Sequence, residues 1–340
     1  MEYRKLGKTN LDVSVIGLGT EHIGQSRENI KRILGLAAGA GVNYIDLFFW
    51  HQLGPALHPY RDQFILAAHW EGMEDILANV SDHHAEIGML TMVDTETKWN
   101  GWAQAALKQL QKRKEQGHIS YIGMSSHRAA IAVKAVNSGL IDILMYPVNL
   151  ASCAIEADRS LYEACVDRGV GLVAMKPYAG GTLLVAAGRP TGITPVQCLA
   201  YTLSLPVSTA VTGVKNPDEL HAALHYCEAA DEEKDYRAAI ADILHHLGDR
   251  NIYLGQCVYC NHCLPCPRNI AIAEIIRVVN LVEATDVEEA AAEYASLQTR
   301  ASDCTGCGVC AELCPFDVDI IAKLRRAVEL FEGGCDRHGD

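Results

Sequence analysis

Short runs of β-branched and other apolar residues alternate with amphipathic segments along the first two thirds of the chain. Segments such as WAQAALKQLQKRKEQG repeat Ala and Leu at helical spacing between these runs. The runs predict eight strands: VSVIGLGT, NYIDLFF, QFILAAHW, EIGMLTMV, ISYIGMSS, IDILMYPV, GVGLVAMK and STAVTGV. Eight strand and helix alternations predict a parallel (β/α)8 barrel of the TIM type over residues 1–245. The alternative is a doubly wound open sheet, which is weaker because no GxGxxG follows the first strand.

The pattern changes near the end of the predicted barrel. Residues 228–250, EAADEEKDYRAAIADILHHLGDR, predict a charged helix that leaves the barrel. Residues 246–340 then form a second unit, in which one cysteine motif occurs twice. The first copy is Cys257, Cys260, Cys263, Cys266 and Pro267, and the second is Cys304, Cys307, Cys310, Cys314 and Pro315. An internal repeat of this kind predicts a small, helical, ferredoxin-like domain with two [4Fe-4S] clusters.

The cysteine spacing points to iron-sulfur chemistry. The second copy, CTGCGVCAELCP, has the CxxCxxCxxxCP spacing of bacterial ferredoxins. In two-cluster ferredoxins the fourth cysteine of each motif ligates the other cluster, which predicts the sets Cys257, Cys260, Cys263 with Cys314 and Cys304, Cys307, Cys310 with Cys266. The first copy has one residue fewer before its last cysteine, so local ligation of Cys266 stays open. Structural zinc and unligated thiols are the alternatives.

Composition limits the class of protein. A formal net charge of −13 without a basic run argues against a nucleic acid partner. The start MEYRKLGKTN lacks a signal-peptide core, and apolar runs stay shorter than a membrane span needs, so a cytoplasmic protein without membrane association is expected. In that compartment thirteen cysteines favour metal or redox chemistry over disulfides. The scattered Cys153, Cys165, Cys198 and Cys227 are predicted core residues, and Cys335 a disordered thiol.

Several barrel motifs resemble those of the aldo-keto reductases. The opening YRKLGKTNLDVSVIGLGT is similar to that family's hairpin and first strand, LGxTxLxVSxIGLGT. NYIDLFF resembles its FIDTA strand, KQLQKRKEQGHISYIGMSSH its GKIRxIGxSxH segment, and GVGLVAMKPYAGG its GVxxMxPxxGG segment. With VSTAVTGVKNPDELHAAL, these motifs cover the barrel almost end to end. The cysteine motifs resemble the family branch with a C-terminal ferredoxin-like domain, and that resemblance also implies an anaerobic host.

The resemblance implies NADPH-dependent carbonyl reduction by a Tyr, Lys, His and Asp tetrad, but only the aspartate, Asp46, is present. His51 replaces the tyrosine, His69 the lysine, and Met92 or Val93 the histidine. An imidazole with an ordinary pKa near 6.5 can donate a proton unaided, and a neighbouring Asp46 would raise the pKa of His69. Asp46, His51 and His69 are therefore the candidate catalytic residues. The alternative is that both histidines are ordinary loop residues.

The positions that bind NADP(H) in this family are also altered. Ser125 and Asn149 match residues near the nicotinamide amide, and Gly213 and Lys215 match a phosphate-binding turn. A single lysine is weak support, because most surface lysines are simply solvated. The glutamine, the stacking aromatic and the adenine-binding asparagine of the family are replaced by Met145, Val148 and Ala223. NADP(H) binding is therefore in doubt.

The predicted strand ends carry further polar residues: Glu21, His22, Asp46, His51, His69, Asp94 and His127. Barrel enzymes place their chemistry at this rim. An additional metal, haem or corrinoid could bind there, although no HxH or HExxH spacing supports it. The segment between Asp46 and His69 and the following βα unit are short for the family, which would open the mouth.

Three functions remain open. The first is an iron-sulfur oxidoreductase that passes electrons between the clusters and a small-molecule substrate or redox cofactor at the barrel mouth, with a redox protein as a further partner. The second is an NADPH-dependent carbonyl reductase with structural clusters. The third is a non-catalytic electron carrier or scaffold, because a fold alone does not assign a function.

Overall fold

A computed structural model describes residues 1–23, 26–47, 53–151, 156–186, 189–241, 257, 263–282, 287–314 and 318–333. The chain forms two compact units. The first comprises residues 1–179 and 193–240, and the second comprises residues 180–192 and 241–340.

An antiparallel hairpin opens the first unit. Strand β1 (Tyr3–Lys5) pairs with β2 (Asp12–Ser14). The buried side chain of Leu6 follows β1 and contacts Gly171 at the start of a barrel strand, and the Lys8 amide donates to the Gly169 carbonyl at 2.8 Å. Leu6 belongs to the same apolar cluster as the side chains inside the barrel. The hairpin therefore closes the amino-terminal end of the barrel.

The predicted parallel (β/α)8 barrel is confirmed. Its eight strands form one closed sheet, in which the last strand pairs with the first. Seven of the eight predicted apolar runs contain one of these strands, and the eighth, EIGMLTMV, begins one residue after the start of its strand. They are β3 (Ile16–Gly19), β4 (Tyr44–Leu47), β5 (Ile65–His69), β6 (Ala85–Leu90), β7 (Ile119–Ser125), β8 (Ile143–Pro147), β9 (Gly171–Met175) and β12 (Thr209–Gly213).

Helices surround the barrel. In the first of them Ile30, Ile33, Leu34 and Ala37 repeat at helical spacing and are buried against the strands. Polar N-cap residues define several helix starts, because their side chains accept hydrogen bonds from first-turn amides that would otherwise be unpaired. Thr194, for example, forms a capping box with Gln197. The α-helices of this unit with both ends described are α1 (Arg27–Gly39), α2 (Met73–Asn79), α3 (Glu96–Lys98), α4 (Gln104–Glu115), α5 (Ala129–Ser138), α6 (Glu156–Arg168), α7 (Pro195–Ser204) and α8 (Pro217–Leu224).

The charged helix predicted for residues 228–250 is wrong in its first part. Residues 228–236 form turns, and helix begins only at residue 237 within the part of the segment that is described. Two carboxylates account for the turns in place of a helix. Glu233 accepts a hydrogen bond from the Ala230 amide at 3.1 Å, and Asp235 accepts one from the Arg237 amide at 3.0 Å. Such local bonds compete with helical hydrogen bonds and favour turns.

The second unit has its own apolar core, which includes Ile270, Ile276, Val279 and Leu324. None of the helices in the described ranges is long and apolar enough to cross a membrane. A short hairpin joins β10 (Val185–Ala186) to β11 (Arg189–Pro190). The described helices of this unit are α9 (Ile272–Leu281), α10 (Val287–Ser296), α11 (Val309–Leu313) and α12 (Ile320–Ala327).

Gly7 permits the close approach of the hairpin to the barrel. Its φ is +58°, and a Cβ there would lie 2.3 Å from the Gly171 amide nitrogen and 2.5 Å from the Gly169 carbonyl oxygen. We expect Gly7→Ala to lower the free energy of unfolding by roughly 2–5 kcal/mol, from backbone strain and overpacking together. Urea unfolding followed by circular dichroism measures this loss.

Gly139→Ala is the matched control. Gly139 also has a positive φ of +72°, but a Cβ there would meet no atom within 4 Å. Only backbone strain is then added, with a cost of roughly 1–2 kcal/mol. Equal losses in the two variants would contradict the proposed steric role of Gly7.

Candidate functional site

The carboxyl ends of the barrel strands bring a group of charged side chains together. Asp46 lies in β4, His69 ends β5, and Thr91 follows β6. The side chains of Asp46 and His69 are almost completely buried, with 12% and 3% of their surface exposed. Buried charges need partners, because transfer out of water is costly. The hydrogen bonds of these residues therefore define the candidate site.

Asp46 and His69 form a direct ion pair. The Nε2 atom of His69 lies 2.9 Å from Oδ1 of Asp46, and Nδ1 lies 3.1 Å from the Thr91 hydroxyl. The Thr91 hydroxyl itself donates to the Glu71 carboxylate. Since its proton is directed to Glu71, the hydroxyl oxygen is left to accept from Nδ1–H. Both ring nitrogens then carry protons, which makes His69 an imidazolium.

The surroundings of His69 favour this charged form. Burial lowers the pKa of the imidazole, but the charge and hydrogen bond of Asp46 and the charges of Glu71 and Glu21 raise it, and the net shift is upward from 6.5. The raised pKa agrees with the effect expected from Asp46. His69 thus places a positive charge at the position where the family resemblance predicts a lysine.

Lys98 adds a second cation close to this pair. Its Nζ donates to the Thr91 carbonyl at 3.0 Å and lies 4.8 Å from the centroid of the Trp102 ring. Burial lowers the pKa of Lys98, whereas Glu71 and Asp94 raise it, and the net shift is downward. Thr91, Glu71 and Lys98 were not among the predicted site residues.

A second histidine network lies on the same rim. Nδ1 of His127 lies 3.1 Å from Oδ2 of Asp94, and Nζ of Lys176 lies 2.9 Å from Nε2 of His127. Asp94 also accepts from the His127 amide at 2.6 Å and from the Ser126 hydroxyl at 3.1 Å. Asp94 and His127 were predicted at the rim, but Lys176 was not singled out.

Ser125 and Asn149, two of the predicted cofactor-binding residues, support the backbone of this rim. Ser125 Oγ accepts from the Met92 amide at 2.8 Å, where Met92 has a φ of +47°. Asn149 Nδ2 donates to the Lys176 carbonyl at 3.1 Å, and its Oδ1 accepts from the Ala151 amide at 3.0 Å. Ser125 therefore supports the strained backbone at Met92, and Asn149 supports the backbone at Lys176 and Ala151. Their contact with a nicotinamide stays a prediction.

Gly213 ends β12, and Lys215 lies in the turn before α8. The His22 ring lies 3.4 Å from the position that a Cβ of Gly213 would take. Lys215 is exposed, and its amide donates to the Glu219 carboxylate at 2.7 Å. A carboxylate on this amide disfavours a phosphate at the same place, because like charges repel. Phosphate binding by Lys215 stays a prediction.

The predicted extra metal at the rim gains no ligand set from the described side chains. No three His, Cys, Asp or Glu residues in the described ranges converge on a single ion. At His127 the Lys176 ammonium approaches Nε2, the atom that a metal would use. His51 lies outside the described residues, so its catalytic role stays a prediction.

In the second unit, four cysteines line one cavity. Three belong to the second motif and one closes the first motif, so both copies of the repeat contribute to this cavity. Apolar side chains of Ile270, Ile272, Ile321 and Leu324 also line it, together with Pro267, Arg268 and Thr305. The four cysteines are Cys266, Cys304, Cys307 and Cys310.

The backbone around these thiols suits a cluster. Gly306 and Gly308 have φ values of +69° and +79°, which let the loop turn between the cysteines. The Gly306 amide donates a hydrogen bond to Sγ of Cys304 at 3.4 Å. Hydrogen bonds from backbone amides to sulfur are one means of tuning the reduction potential of a cluster. Burial raises the pKa of the Cys310 thiol, and the sulfurs of Cys304 and Cys266 raise it further. Four thiols at one cavity suit a [4Fe-4S] cluster, and its cross-ligation stays a prediction.

The ligands of the other predicted cluster are described only in part. Cys263 is buried in the core of the second unit, and Cys257 and Cys314 pack against that core. Cys260 lies outside the described residues, as do the predicted core residue Cys153 and the tail thiol Cys335. None of the described cysteines forms a disulfide.

The scattered cysteines of the barrel differ from one another. Cys165 and Cys198 are buried as predicted, and burial raises the pKa of each thiol to about 12. Cys227 is only half-buried, so its prediction as a core residue is wrong. Its Sγ lies 3.8 Å from the Met1 sulfur.

Comparison with known proteins agrees with these two units. The model of the Aldo/keto reductase family matches residues 17–196, which is more than half of the chain, and that of the 4Fe-4S dicluster domain matches residues 256–319. The chain belongs to the aldo/keto reductase family. Its C-terminal domain confirms iron-sulfur clusters as cofactors, so this reductase family member is an iron-sulfur oxidoreductase.

Three individual proteins are similar to parts of this chain. The oxidoreductase YqkF of Bacillus subtilis (strain 168) is 25% identical over 211 residues, which cover 54% of this chain and 67% of YqkF. The aldo-keto reductase AKR11C1 from Bacillus halodurans, in its holo form, has a TM-score of 0.59 and 21% identity over 71% of this chain and 96% of its own. PA4992 from Pseudomonas aeruginosa has a TM-score of 0.54 and 20% identity over 66% of this chain and 95% of its own. The two structures show the shared fold.

The charge on His69 predicts a pH dependence of stability. Because its folded-state pKa is raised, the contribution of His69 is complete below its ordinary pKa of about 6.5 and is lost as pH rises through the folded-state value. We expect wild-type stability to fall over this window relative to His69→Gln, measured by urea unfolding at a series of pH values. His221→Gln, at an exposed histidine of α8, should retain the wild-type profile. A parallel profile for His69→Gln would contradict the imidazolium assignment.

The shared cavity predicts which cysteines act on the same cluster. We expect Cys266→Ala and Cys310→Ala each to lose about half of the bound iron, and the double variant to lose no more than either alone. Cys263→Ala combined with Cys310→Ala should lose nearly all of it. Iron analysis and electron paramagnetic resonance of anaerobically prepared protein measure this, with Cys227→Ala as control. Additive loss in the first double variant would show local ligation of Cys266.

Proposed function

We propose that this chain exchanges electrons between two C-terminal [4Fe-4S] clusters and a small-molecule substrate or redox cofactor at the barrel mouth, without the family's Tyr, Lys and His residues for hydride transfer. The observation that carries the proposal is the cavity lined by Cys266, Cys304, Cys307 and Cys310. Thiols from both motifs at one cavity are what a cross-ligated two-cluster domain requires. Such clusters, when bound, supply one-electron transfers over a wide range of potential.

The barrel residues support a polar reaction at the mouth. The imidazolium of His69, held by Asp46 and Thr91, is a fixed positive charge in a buried position. A preorganised charge of this kind stabilises negative charge that develops on a bound substrate. Asp46 orients the ring and maintains its charge. His51 remains the predicted proton donor.

Two features argue against ordinary hydride transfer from NADPH. The lysine that activates the family's tyrosine is replaced by His69, and the Lys215 amide is already bonded to Glu219. The first change replaces a lysine by a histidine, whose ordinary pKa of about 6.5 lies well below that of a lysine. The second places a carboxylate in the turn that would receive a phosphate. A cytoplasmic location and a redox protein as electron partner accompany this proposal.

The test compares two electron sources on the anaerobically purified full chain. We expect reduced methyl viologen to support reduction of small aldehydes or ketones, and NADPH to support little or none. Cys310→Ala should lower the viologen-linked rate at least about tenfold, because it removes one cluster. Cys227→Ala, which changes a half-buried cysteine outside both motifs, should keep the wild-type rate.

Two outcomes would overturn the proposal. NADPH-linked turnover that survives Cys310→Ala would establish a carbonyl reductase with structural clusters. Clusters that accept electrons from viologen without turnover of any carbonyl compound would favour the electron carrier. His69→Gln separates binding from chemistry, since loss of a charge used in the transition state lowers kcat more than it raises KM.

A further inference from the structure

Lys176 is placed against a histidine whose other nitrogen is bonded to a carboxylate. Its Nζ lies 2.9 Å from Nε2 of His127, and Nδ1 of His127 lies 3.1 Å from Oδ2 of Asp94. The side chains of His127 and Asp94 are 3% and 10% exposed, whereas Lys176 is half-buried at the end of β9. Lys176 is therefore a partly exposed member of a largely buried network.

The hydrogen bonds define where the protons lie. A carboxylate only accepts, so Nδ1 of His127 carries a proton and donates to Asp94. The Lys176 ammonium donates to Nε2, which must then be the unprotonated nitrogen of a neutral ring. Transfer of that proton to Nε2 leaves a neutral amine and an imidazolium stabilised by Asp94, with no change in net charge. Lys176 is then the nucleophile, His127 the base and Asp94 the group that orients the base. This arrangement is the usual signature of an activated nucleophile.

The backbone at Lys176 is strained in a way that favours a functional role. Its φ of +55° lies in the left-handed region, which costs a non-glycine residue roughly 1–2 kcal/mol. The Lys176 carbonyl accepts from Asn149 Nδ2 at 3.1 Å and from the Ala179 amide at 2.9 Å. These bonds hold the conformation that directs the side chain toward His127. Strain of this kind is concentrated at functional sites.

We propose that Lys176 is an amine nucleophile that forms a reversible imine with an aldehyde or ketone at the barrel mouth. The Nζ lone pair adds to the carbonyl carbon after the ammonium proton has moved to Nε2 of His127. Protons from Nζ and His127 then convert the carbonyl oxygen to water, which leaves as the C=N bond forms. The step neither oxidises nor reduces the ligand, and it requires no further reactant. It is independent of the clusters.

Reductive trapping tests the proposal on the full-length protein. Acetaldehyde and sodium cyanoborohydride convert an imine to a stable ethylamine, which peptide mass spectrometry locates. We expect Lys176 to be labelled at least about tenfold faster than the exposed Lys108 of α4, because general-base catalysis accelerates such steps by roughly 10² to 10⁴. Equal labelling of Lys176 and Lys108 in the wild-type protein would overturn the proposal without any variant.

Variants identify the base and separate this result from the proposed redox function. His127→Gln should reduce labelling of Lys176 to the rate of Lys108, and Lys176→Arg should abolish the adduct at position 176. Fast labelling of Lys176 in a folded His127→Gln protein would contradict the role of His127. Cys310→Ala should label as wild type, so a failure of the cluster proposal leaves this one intact. Pyruvate in place of acetaldehyde determines whether a carboxylate next to the carbonyl is accepted.

Discussion

The pairing of β12 with β3 closes the eight-stranded sheet, and every functional contact in the barrel depends on this closure. A closed parallel barrel brings the carboxyl ends of all its strands to one rim, however far apart they lie along the chain. Asp46, His69 and Thr91 meet there from three neighbouring strands, and His127 meets Lys176 across two further strand ends. The hairpin around Leu6 closes the opposite end of the barrel.

Burial then makes the choice of hydrogen-bond partner decisive. Two histidines of the rim each have one ring nitrogen bonded to an aspartate, but their second partners differ. His69 contacts a hydroxyl whose proton is directed to Glu71, so the ring must donate and is an imidazolium. His127 contacts the Lys176 ammonium, so the ring must accept and is neutral. The same residue type is thus charged at one position and neutral at the other.

In the cysteine domain each motif is a short, local stretch of sequence, but residues from both motifs line the cavity. Short spacing brings Cys304, Cys307 and Cys310 around one loop, with Gly306 and Gly308 supplying the left-handed backbone. The fourth thiol of the cavity, Cys266, comes from the other copy of the repeat. Each half of the repeat is therefore incomplete without the other. Under the proposed cross-ligation, assembly of the clusters would be coupled to folding of the second unit.

The sequence by itself determined the eight strands, the family, the iron-sulfur domain and the candidate pair Asp46 and His69, because periodicity, motif spacing and strand ends are local properties. It did not indicate Thr91, Glu71, Lys98 or Lys176, because no sequence pattern singles these residues out. Their contacts at the rim are hydrogen bonds to residues distant in sequence. It also overestimated the helix at residues 228–250, where carboxylates of Glu233 and Asp235 bond to nearby amides. Only the tertiary structure decided which nitrogen of each histidine faces a donor or an acceptor, because protonation of a buried ring depends on partners that barrel closure brings together.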